Sequence, residues 1–325
     1  MRCNICRWRC AITADRTGVC RMYKNINGIL YNLNYGLASA VAVDPIEKKP
    51  LYHFYPGTSV FSLGSWGCNF HCGGCQNWQI SCVDIVSVGR GSEKIDPAQA
   101  VVLARQKDCR GIAWTYNEPT MWFEYTLDSA RLARENNLYT VYVTNGYMSP
   151  AALDLLGPYL DAWRVDIKGF NDRFYRSLAK IVHWRGILET AERAKSKWNM
   201  HIEVITNIIP AQNDDDEQLK GIARWIHDSL GELTPWHVTR FYPQYQETDL
   251  PATPVETLER AVEIGRQVGL KFIYIGNVPG HEGENTHCYH CGNLIVQRQG
   301  YSTRVLGLHG SRCKYCGTEL NFRVG

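Results

Sequence analysis

The 325-residue sequence has no long apolar run and little net charge. No stretch of about 18 or more apolar residues occurs, so no membrane-spanning helix is expected. Residues 1–20 hold four cysteines and several arginines but no apolar segment, so we expect no secretory signal peptide. A formal net charge of +3 does not indicate the positively charged surface that nucleic-acid binding requires. The sequence therefore predicts neither a membrane protein nor a nucleic-acid-binding protein.

Cysteine, in contrast, is abundant, with thirteen in the chain. All but Cys82 and Cys109 fall into three groups with short internal spacing. Close cysteine pairs without a secretory signal favour metal binding in a reducing compartment over disulfides. We therefore expect a cytoplasmic protein with several metal sites.

The central group is a C-x3-C-x2-C pattern formed by Cys68, Cys72 and Cys75. Three thiolates on one short loop can hold three corners of a [4Fe–4S] cluster and leave one iron open to a small molecule. A zinc knuckle or a set of buried thiols is less favoured, because the loop is glycine-rich and polar. The loop also follows a strand-like run at 59–63, and the carboxyl ends of barrel strands carry the chemistry. The pattern predicts a catalytic iron–sulfur site.

The amino-terminal group reads C-x2-C-x3-C-x9-C and consists of Cys3, Cys6, Cys10 and Cys20. Four cysteines this close predict either a tetrahedral zinc site or an auxiliary iron–sulfur cluster, with zinc slightly favoured.

The carboxy-terminal group has two CxxCG knuckles, formed by Cys288, Cys291, Cys313 and Cys316. Paired CxxC turns, each followed by glycine, predict a four-sulfur metal site. A zinc ribbon with strands at 295–298 and 303–306 is preferred, and a rubredoxin-like iron site is the alternative.

From residue 59 onwards, short β runs alternate with helical segments, which indicates βα units and a parallel sheet. The predicted strands are 60–63, 111–115, 139–144, 162–167, 201–208, 237–241 and 272–275. The predicted helices are 97–107, 120–136, 150–156, 187–197, 214–230 and 255–268. About six such units form a partial (β/α)6 barrel, smaller than the eight-fold one. We expect residues 1–58 to form a cysteine-rich, β-rich extension, 59–282 the barrel and 283–325 the ribbon.

Polar residues follow nearly every predicted strand of the barrel, where its active site is expected. They are Asn117, Glu118, Thr144, Asn145, Asp166, Lys168 and Asn207. The set as a whole predicts a site for a polar ligand. For Asp166 and Lys168, an ion pair that only closes the barrel mouth is an equally good interpretation.

The spacing of Cys68, Cys72 and Cys75 resembles the signature of the radical S-adenosylmethionine (SAM) enzymes. In that family SAM chelates the open iron, and an electron from the cluster cleaves it to methionine and a 5′-deoxyadenosyl radical. Glu118-Pro119, Thr144-Asn145-Gly146 and Asp166-Ile167-Lys168 further resemble the activating enzymes of glycyl-radical enzymes, such as pyruvate formate-lyase activase. Four family positions differ: the two glycines before Glu118 are missing, an aspartate is replaced by Val143, and an aromatic is replaced by Gly74.

A closer resemblance, over about residues 3–320, is to the radical SAM component of the AmmeMemoRadiSam system. It is carried by the runs at 44–50, 75–78, 116–120, 143–147 and 276–280 and by both terminal cysteine groups. This resemblance identifies a family without identifying a substrate.

The resemblance implies roles for the polar residues. Glu118, with Asn117 in the same motif, is expected at the SAM ammonium group. Thr144, Asn145 and Asn207 are expected at the ribose or the carboxylate. Lys168 is expected at the carboxylate, oriented by Asp166. No catalytic residue beyond the cluster ligands is assigned.

The preferred hypothesis is a radical SAM oxidoreductase that abstracts hydrogen from a substrate, with a glycine of a partner protein as one candidate. It implies a [4Fe–4S] cluster, SAM, zinc or iron at the terminal groups, and a flavodoxin- or ferredoxin-like electron donor. Modification of a small molecule or of a partner's side chain is the alternative within the same chemistry. A metal-binding adaptor that docks partners is the alternative from another class, but it leaves the central loop unexplained.

Overall fold

The computed structural model describes residues 1–85 and 92–325, which divide into two units built from separated segments. The first unit consists of Met1–Asp44, Ser59–Trp163 and Leu178–Met200. The second consists of Pro45–Thr58, Arg164–Ser177 and His201–Gly325. The division expected from the sequence, at residues 58 and 282, stays a prediction.

The first unit contains a set of neighbouring strands and an amino-terminal hairpin. Its strands are Tyr23–Ile26 (β1), Ile29–Asn32 (β2), Leu37–Ala38 (β3), Ala40–Pro45 (β4), Ser59–Gly64 (β5), Glu93–Lys94 (β6), Gly111–Trp114 (β7) and Tyr139–Thr144 (β8). They run in the order β8-β7-β5-β4, and β5, β7 and β8 pair in parallel. β1 and β2 form an antiparallel hairpin whose turn residues, Asn27 and Gly28, both have positive φ, as a two-residue hairpin turn requires.

Helices of the first unit follow these strands and begin at side-chain caps where the sequence predicts them. They are Trp78–Ser81 (α1), Pro97–Gln106 (α2), Phe123–Glu135 (α3), Pro150–Leu156 (α4) and, after a segment of the second unit, Arg185–Trp198 (α6). Asp96 accepts a hydrogen bond from the Gln99 backbone at 2.7 Å and Ser149 one from Ala152 at 3.2 Å, each with proline at the next position.

The strand Ala162–Asp166 (β9) spans the boundary, and the second unit continues the βα alternation. Its elements are the helices Asp172–Leu178 (α5), Asp216–Trp225 (α7) and Val255–Val268 (α8), and the strands His201–Ile208 (β10), Trp236–Arg240 (β11) and Ile273–Gly276 (β12). β10, β11 and β12 pair in parallel. A π-helical turn at Ile226–Leu230 extends α7, and Gly231, with φ of 88°, ends it.

Short antiparallel strands complete the second unit. They are Thr286–His287 (β13), Leu294–Gln299 (β14), Ser302–Val305 (β15), Leu308–His309 (β16) and Arg312–Cys313 (β17). β13, β14 and β15 form one sheet, and β16 pairs with β17. The ribbon strands expected at 295–298 and 303–306 thus lie within one residue of β14 and β15.

The predicted class, a mixed α/β fold with parallel strands and a cysteine-rich carboxy-terminal module, is confirmed. The predicted strands agree with the structure to within about one residue at each end. The predicted helix from Thr120 differs, because Pro119–Trp122 forms a 3-10 turn before α3. α1 and α5, of four and seven residues, were not predicted, because both are short and neither begins with the cap-and-proline signal that marks α4. Within the described residues, no helix is long and apolar enough to span a membrane.

Candidate functional site

The central cysteine loop directly follows β5 in the first unit and begins with a tight turn at Gly67. Cys68, Cys72 and Cys75 are all half-buried there. Gly67 has a φ of +82°, and a Cβ atom at this position would lie 2.6 Å from the Met22 side chain. Glycine is therefore required here by both the backbone conformation and the close packing. The backbone N–H of Phe70 donates to the Cys68 sulfur at 3.3 Å, so the loop presents this sulfur as an acceptor.

Asn117 holds the start of this loop in place. Its Oδ1 accepts a hydrogen bond from the Ser65 backbone N–H at 3.0 Å, and its Nδ2 donates to the Gly67 carbonyl at 2.8 Å. The Asn117 side chain is buried. In this structure its amide is thus used to shape the cysteine loop.

Glu118 follows Asn117 in the chain and connects the ends of β7 and β8. Its carboxylate accepts hydrogen bonds from the Thr120 backbone at 3.0 Å, the Thr144 hydroxyl at 2.8 Å and the Asn145 backbone at 2.7 Å. Only 2% of the residue is exposed, and burial raises the pKa of its carboxyl despite these donors. The carboxylate fixes the turn after β8 relative to the end of β7.

Asn145 extends this connection to the cysteine loop. Its Nδ2 donates to Asn69 Oδ1 at 2.7 Å and lies 3.7 Å from the Cys68 sulfur. Its Oδ1 accepts from the Tyr147 backbone at 3.0 Å, which fixes the orientation of the amide. The structure therefore brings Glu118, Thr144 and Asn145 together and places the Asn145 side chain against Cys68.

The chemistry of this loop suits a cationic iron–sulfur group. Burial raises the pKa of the Cys68 thiol well above its usual value, and the Glu118 carboxylate and Cys72 thiol add to the rise. Without a cation the thiol form is favoured, whereas a bound metal stabilises the thiolate. Three sulfurs on one loop, with an amide beside one of them, fit a cluster with three protein ligands.

The predicted residues of the second unit form their own contacts. Asp166 binds Lys168 at 2.9 Å and Arg164 at 2.6 Å. Burial opposes ionisation of Asp166, but Arg164 and Lys168 outweigh it and hold the pKa of the carboxyl below its usual range. Asn207 donates to the Thr239 hydroxyl at 3.1 Å. Arg164 was not predicted as a partner, although its position two residues before Asp166 on a strand places both side chains on one face.

A buried network around Glu203 was also missed. Its carboxylate lies 3.0 Å from His201 Nε2 and 2.6 Å from His237 Nε2, and it accepts from the backbone of Tyr52 and His53 at 3.0 Å and 2.8 Å. The glutamate is fully buried. His201 and Glu203 alternate along β10, and this pattern could have indicated that their side chains share a face. It does not reveal the partners on other segments, which are Tyr52, His53 and His237.

The four carboxy-terminal cysteines form a compact set. Cys288, Cys291, Cys313 and Cys316 have all their sulfur atoms within 4.8 Å of one another. Two of the pairs, Cys288–Cys316 and Cys291–Cys313, have their sulfur atoms 3.6 Å and 3.7 Å apart. Four sulfurs on a zinc ion, at about 2.3 Å from the metal, would be separated by nearly the same distance. This geometry fits a single tetrahedral metal ion.

The four amino-terminal cysteines lie around one small cavity of about 10 Å³ in the first unit. Cys3 and Cys6 are buried, and Cys10 and Cys20 are half-buried. The structure thus brings together the group that the sequence predicted, in a packed apolar surrounding that includes Tyr23 and Met121.

Comparison with known proteins gives a consistent result. The family model described as the radical SAM superfamily matches residues 65–226. An uncharacterized protein of Methanocaldococcus jannaschii is 43% identical over 323 residues, covering 99% of this chain and 95% of that protein. The isethionate sulfite-lyase activating enzyme of Oleidesulfovibrio alaskensis is 29% identical over 130 residues, which cover 39% of this chain and 42% of that protein. The crystal structure of a radical SAM methyltransferase from Sphaerobacter thermophilus superposes with a TM-score of 0.51 at 18% identity, covering 68% of this chain and 67% of that one.

Proposed function

The chain belongs to the radical SAM superfamily, and from this premise we propose that it abstracts hydrogen from a substrate by radical chemistry, with a glycine in a partner protein as the first substrate to test. The observation that carries the proposal is the contact of Asn145 with both Asn69 and Cys68, within one hydrogen-bonded group that includes Glu118. It combines the cysteine loop and a buried polar site in one unit.

Cys68, Cys72 and Cys75 would hold a [4Fe–4S] cluster, which when bound supplies the electron for reductive cleavage of SAM. Asn117 keeps the loop in its turn. Glu118 keeps Thr144 and Asn145 next to Cys68, and a buried carboxylate beside the loop favours the SAM ammonium group. Three further SAM contacts are proposed only from their positions at the strand ends in the sequence: Asp166, Lys168 and Asn207.

A glycine substrate is supported by the likeness to an activating enzyme over residues that make up 39% of the chain. The required electron would come from a flavodoxin- or ferredoxin-like protein. The short spacing within the three cysteine groups favours metal binding over disulfides, which supports a reducing compartment. Zinc is the proposed ion at the carboxy-terminal cysteines, since their sulfur spacing matches a tetrahedral tetrathiolate site.

The test is the Cys68→Ala/Cys72→Ala/Cys75→Ala variant, compared with Cys82→Ala, which removes a nearby half-buried cysteine outside the pattern. Both proteins are purified and reconstituted without oxygen and then incubated with dithionite and SAM. We expect 5′-deoxyadenosine from the control and none from the triple variant. Release of 5′-deoxyadenosine by the triple variant, or by neither protein, would contradict the proposal.

The substrate class has its own readout. A glycyl radical signal, detected by electron paramagnetic resonance (EPR) in a co-purified protein after turnover, would support activation of a partner. Turnover that leaves a modified small molecule or side chain and no glycyl radical would favour the alternative substrate class.

A further inference from the structure

The four amino-terminal cysteines line one cavity of about 10 Å³ in the first unit. Cys3, Cys6, Cys10 and Cys20 therefore belong to one site.

The arrangement of the sulfurs argues against a single ion at this site. In the part of the chain that the structure describes, only the carboxy-terminal cysteines form a group compact enough to hold one metal ion. A cubane attaches each thiolate to a different iron, so its ligands do not all have to reach one ion. The amino-terminal set shares this property with Cys68, Cys72 and Cys75.

Direct contacts connect this site to the central loop within the first unit. Trp8 Nε1 donates to the Asn69 carbonyl at 2.8 Å. The Asn69 side chain lies beside the Cys6 sulfur, while its Oδ1 accepts a hydrogen bond from Asn145 at 2.7 Å. Asn69 is fully buried, and its Nδ2 has no partner of ordinary hydrogen-bond geometry. A metal-bound Cys6 thiolate would give this buried donor an acceptor.

We propose that Cys3, Cys6, Cys10 and Cys20 bind a second [4Fe–4S] cluster, positioned to exchange single electrons with the cluster at Cys68, Cys72 and Cys75. One electron leaves the second cluster as one arrives at the central cluster. A low-potential flavodoxin- or ferredoxin-like protein supplies the replacement electron. The site itself does not depend on the proposed hydrogen abstraction.

The first experiment counts iron and acid-labile sulfide in the full-length, anaerobically reconstituted protein and two variants. The wild type should hold about eight irons and about eight sulfides per chain, as two cubanes require. The Cys68→Ala/Cys72→Ala/Cys75→Ala variant and the Cys10→Ser/Cys20→Ser variant should each lose about half of both. Sulfide is the necessary readout, because a carboxy-terminal site filled with a single iron ion would add no sulfide.

EPR spectra assign the two centres. The central triple variant should retain a reduced-cluster signal that SAM leaves unchanged, and Cys10→Ser/Cys20→Ser should retain a signal that SAM shifts. A fully reduced wild-type sample should show spin–spin broadening that is absent from both variants. Circular dichroism and retained carboxy-terminal metal check that each variant is folded.

The site proposal is wrong if the folded triple variant holds no sulfide, or if the amino-terminal variant loses one zinc ion and no iron. The electron-exchange part is wrong if the wild-type spectrum is the simple sum of the two variant spectra. If no SAM-responsive signal appears in the wild type, the proposed function is contradicted. The amino-terminal site is then judged by whether Cys10→Ser/Cys20→Ser loses iron and sulfide.

Discussion

At the scale of single residues, the polar side chains at the strand ends have two different tasks. Asn117 donates to and accepts from the backbone of the cysteine loop, whereas Glu118 holds the turn that carries Thr144 and Asn145. Substitution of Asn117 should therefore affect the retention of the cluster, whereas substitution of Glu118 should affect the binding of SAM.

Glu118→Gln should weaken SAM binding about tenfold or more, about 1.4 kcal/mol, because the amide loses the charge and one acceptor oxygen. Cluster content should stay near the wild-type level. SAM affinity is measured by calorimetry on the reconstituted protein, with Glu135→Gln, at an exposed position on α3, as the control. An unchanged affinity in Glu118→Gln would remove this residue from the proposed site.

Asn117→Ala should act on the cluster loop instead. It removes the partners of the Ser65 N–H and the Gly67 carbonyl, both of which are held in a buried environment. We expect iron to be lost at least several-fold faster to a chelator than from the wild type, followed through the visible absorbance of the cluster. Equal rates for the two proteins would show that Asn117 does not position the loop.

The sequence predicted which residues gather at Cys68, because strand ends and family motifs are local signals. It did not predict that Asn117 and Glu118 would find their partners within the chain. The partners of Asn117, Ser65 and Gly67, lie about 50 residues away and become visible only when β5 and β7 are adjacent. Those of Glu118 include Thr144 and Asn145, 26 and 27 residues away, which require β7 and β8 to be adjacent.

At the scale of elements, the two CxxCG knuckles determine the geometry of the carboxy-terminal module. In each one a glycine with positive φ closes the turn, Gly292 at 72° and Gly317 at 76°. Backbone hydrogen bonds of 2.9 Å and 2.8 Å run from these glycines to Cys288 and Cys313. The local sequence CxxCG was sufficient to predict this geometry, since all of its determinants lie within five residues.

Cys313→Ser should remove about one metal ion per chain and lower the thermal midpoint by several degrees, because the module's strands are short and Cys313 packs in its core. Metal is counted by mass spectrometry and unfolding is followed by calorimetry. Cys109→Ser, which changes a buried cysteine outside the groups, should keep the metal. Full metal content in Cys313→Ser would exclude this site.

At the scale of the whole molecule, the second unit depends on buried ionisable groups drawn from distant parts of the sequence. Burial lowers the pKa of His53 to about 3 and also lowers that of His237. Burial opposes the ionisation of Glu203, but its histidine partners outweigh this and hold the pKa of its carboxyl below its usual value. Sequence patterns cannot predict this network, because its members come from the segment at 45–58 and from β10 and β11.

The network should make the protein sensitive to acid. Below the ordinary histidine pKa the unfolded chain takes up a proton at His53 that the folded chain refuses, so stability is lost as the pH falls. Glu203 changes stability in the same direction, at a lower pH. For His53 alone, the free energy of unfolding should fall by about 1 kcal/mol between pH 7 and pH 5.5.

Denaturant unfolding at several pH values measures this loss. His53→Gln should flatten the pH dependence, whatever its effect on stability at pH 7. His309→Gln, at an exposed position, should leave the pH dependence unchanged. Equal slopes for the wild type and His53→Gln would show that His53 does not carry the effect.

The segment Pro45–Thr58 has a consequence for biosynthesis. It belongs to the second unit, and the backbones of His53 and Tyr55 pair with that of Arg323 at 2.8 Å. At about 5–20 residues per second, a ribosome needs tens of seconds to advance from residue 58 to residue 323. During that time Tyr52, His53 and Phe54 have left the ribosome without the residues that bury them. The nascent chain therefore exposes an apolar segment until the residues that bury it have been synthesised. We expect a chaperone to bind the nascent chain at this segment.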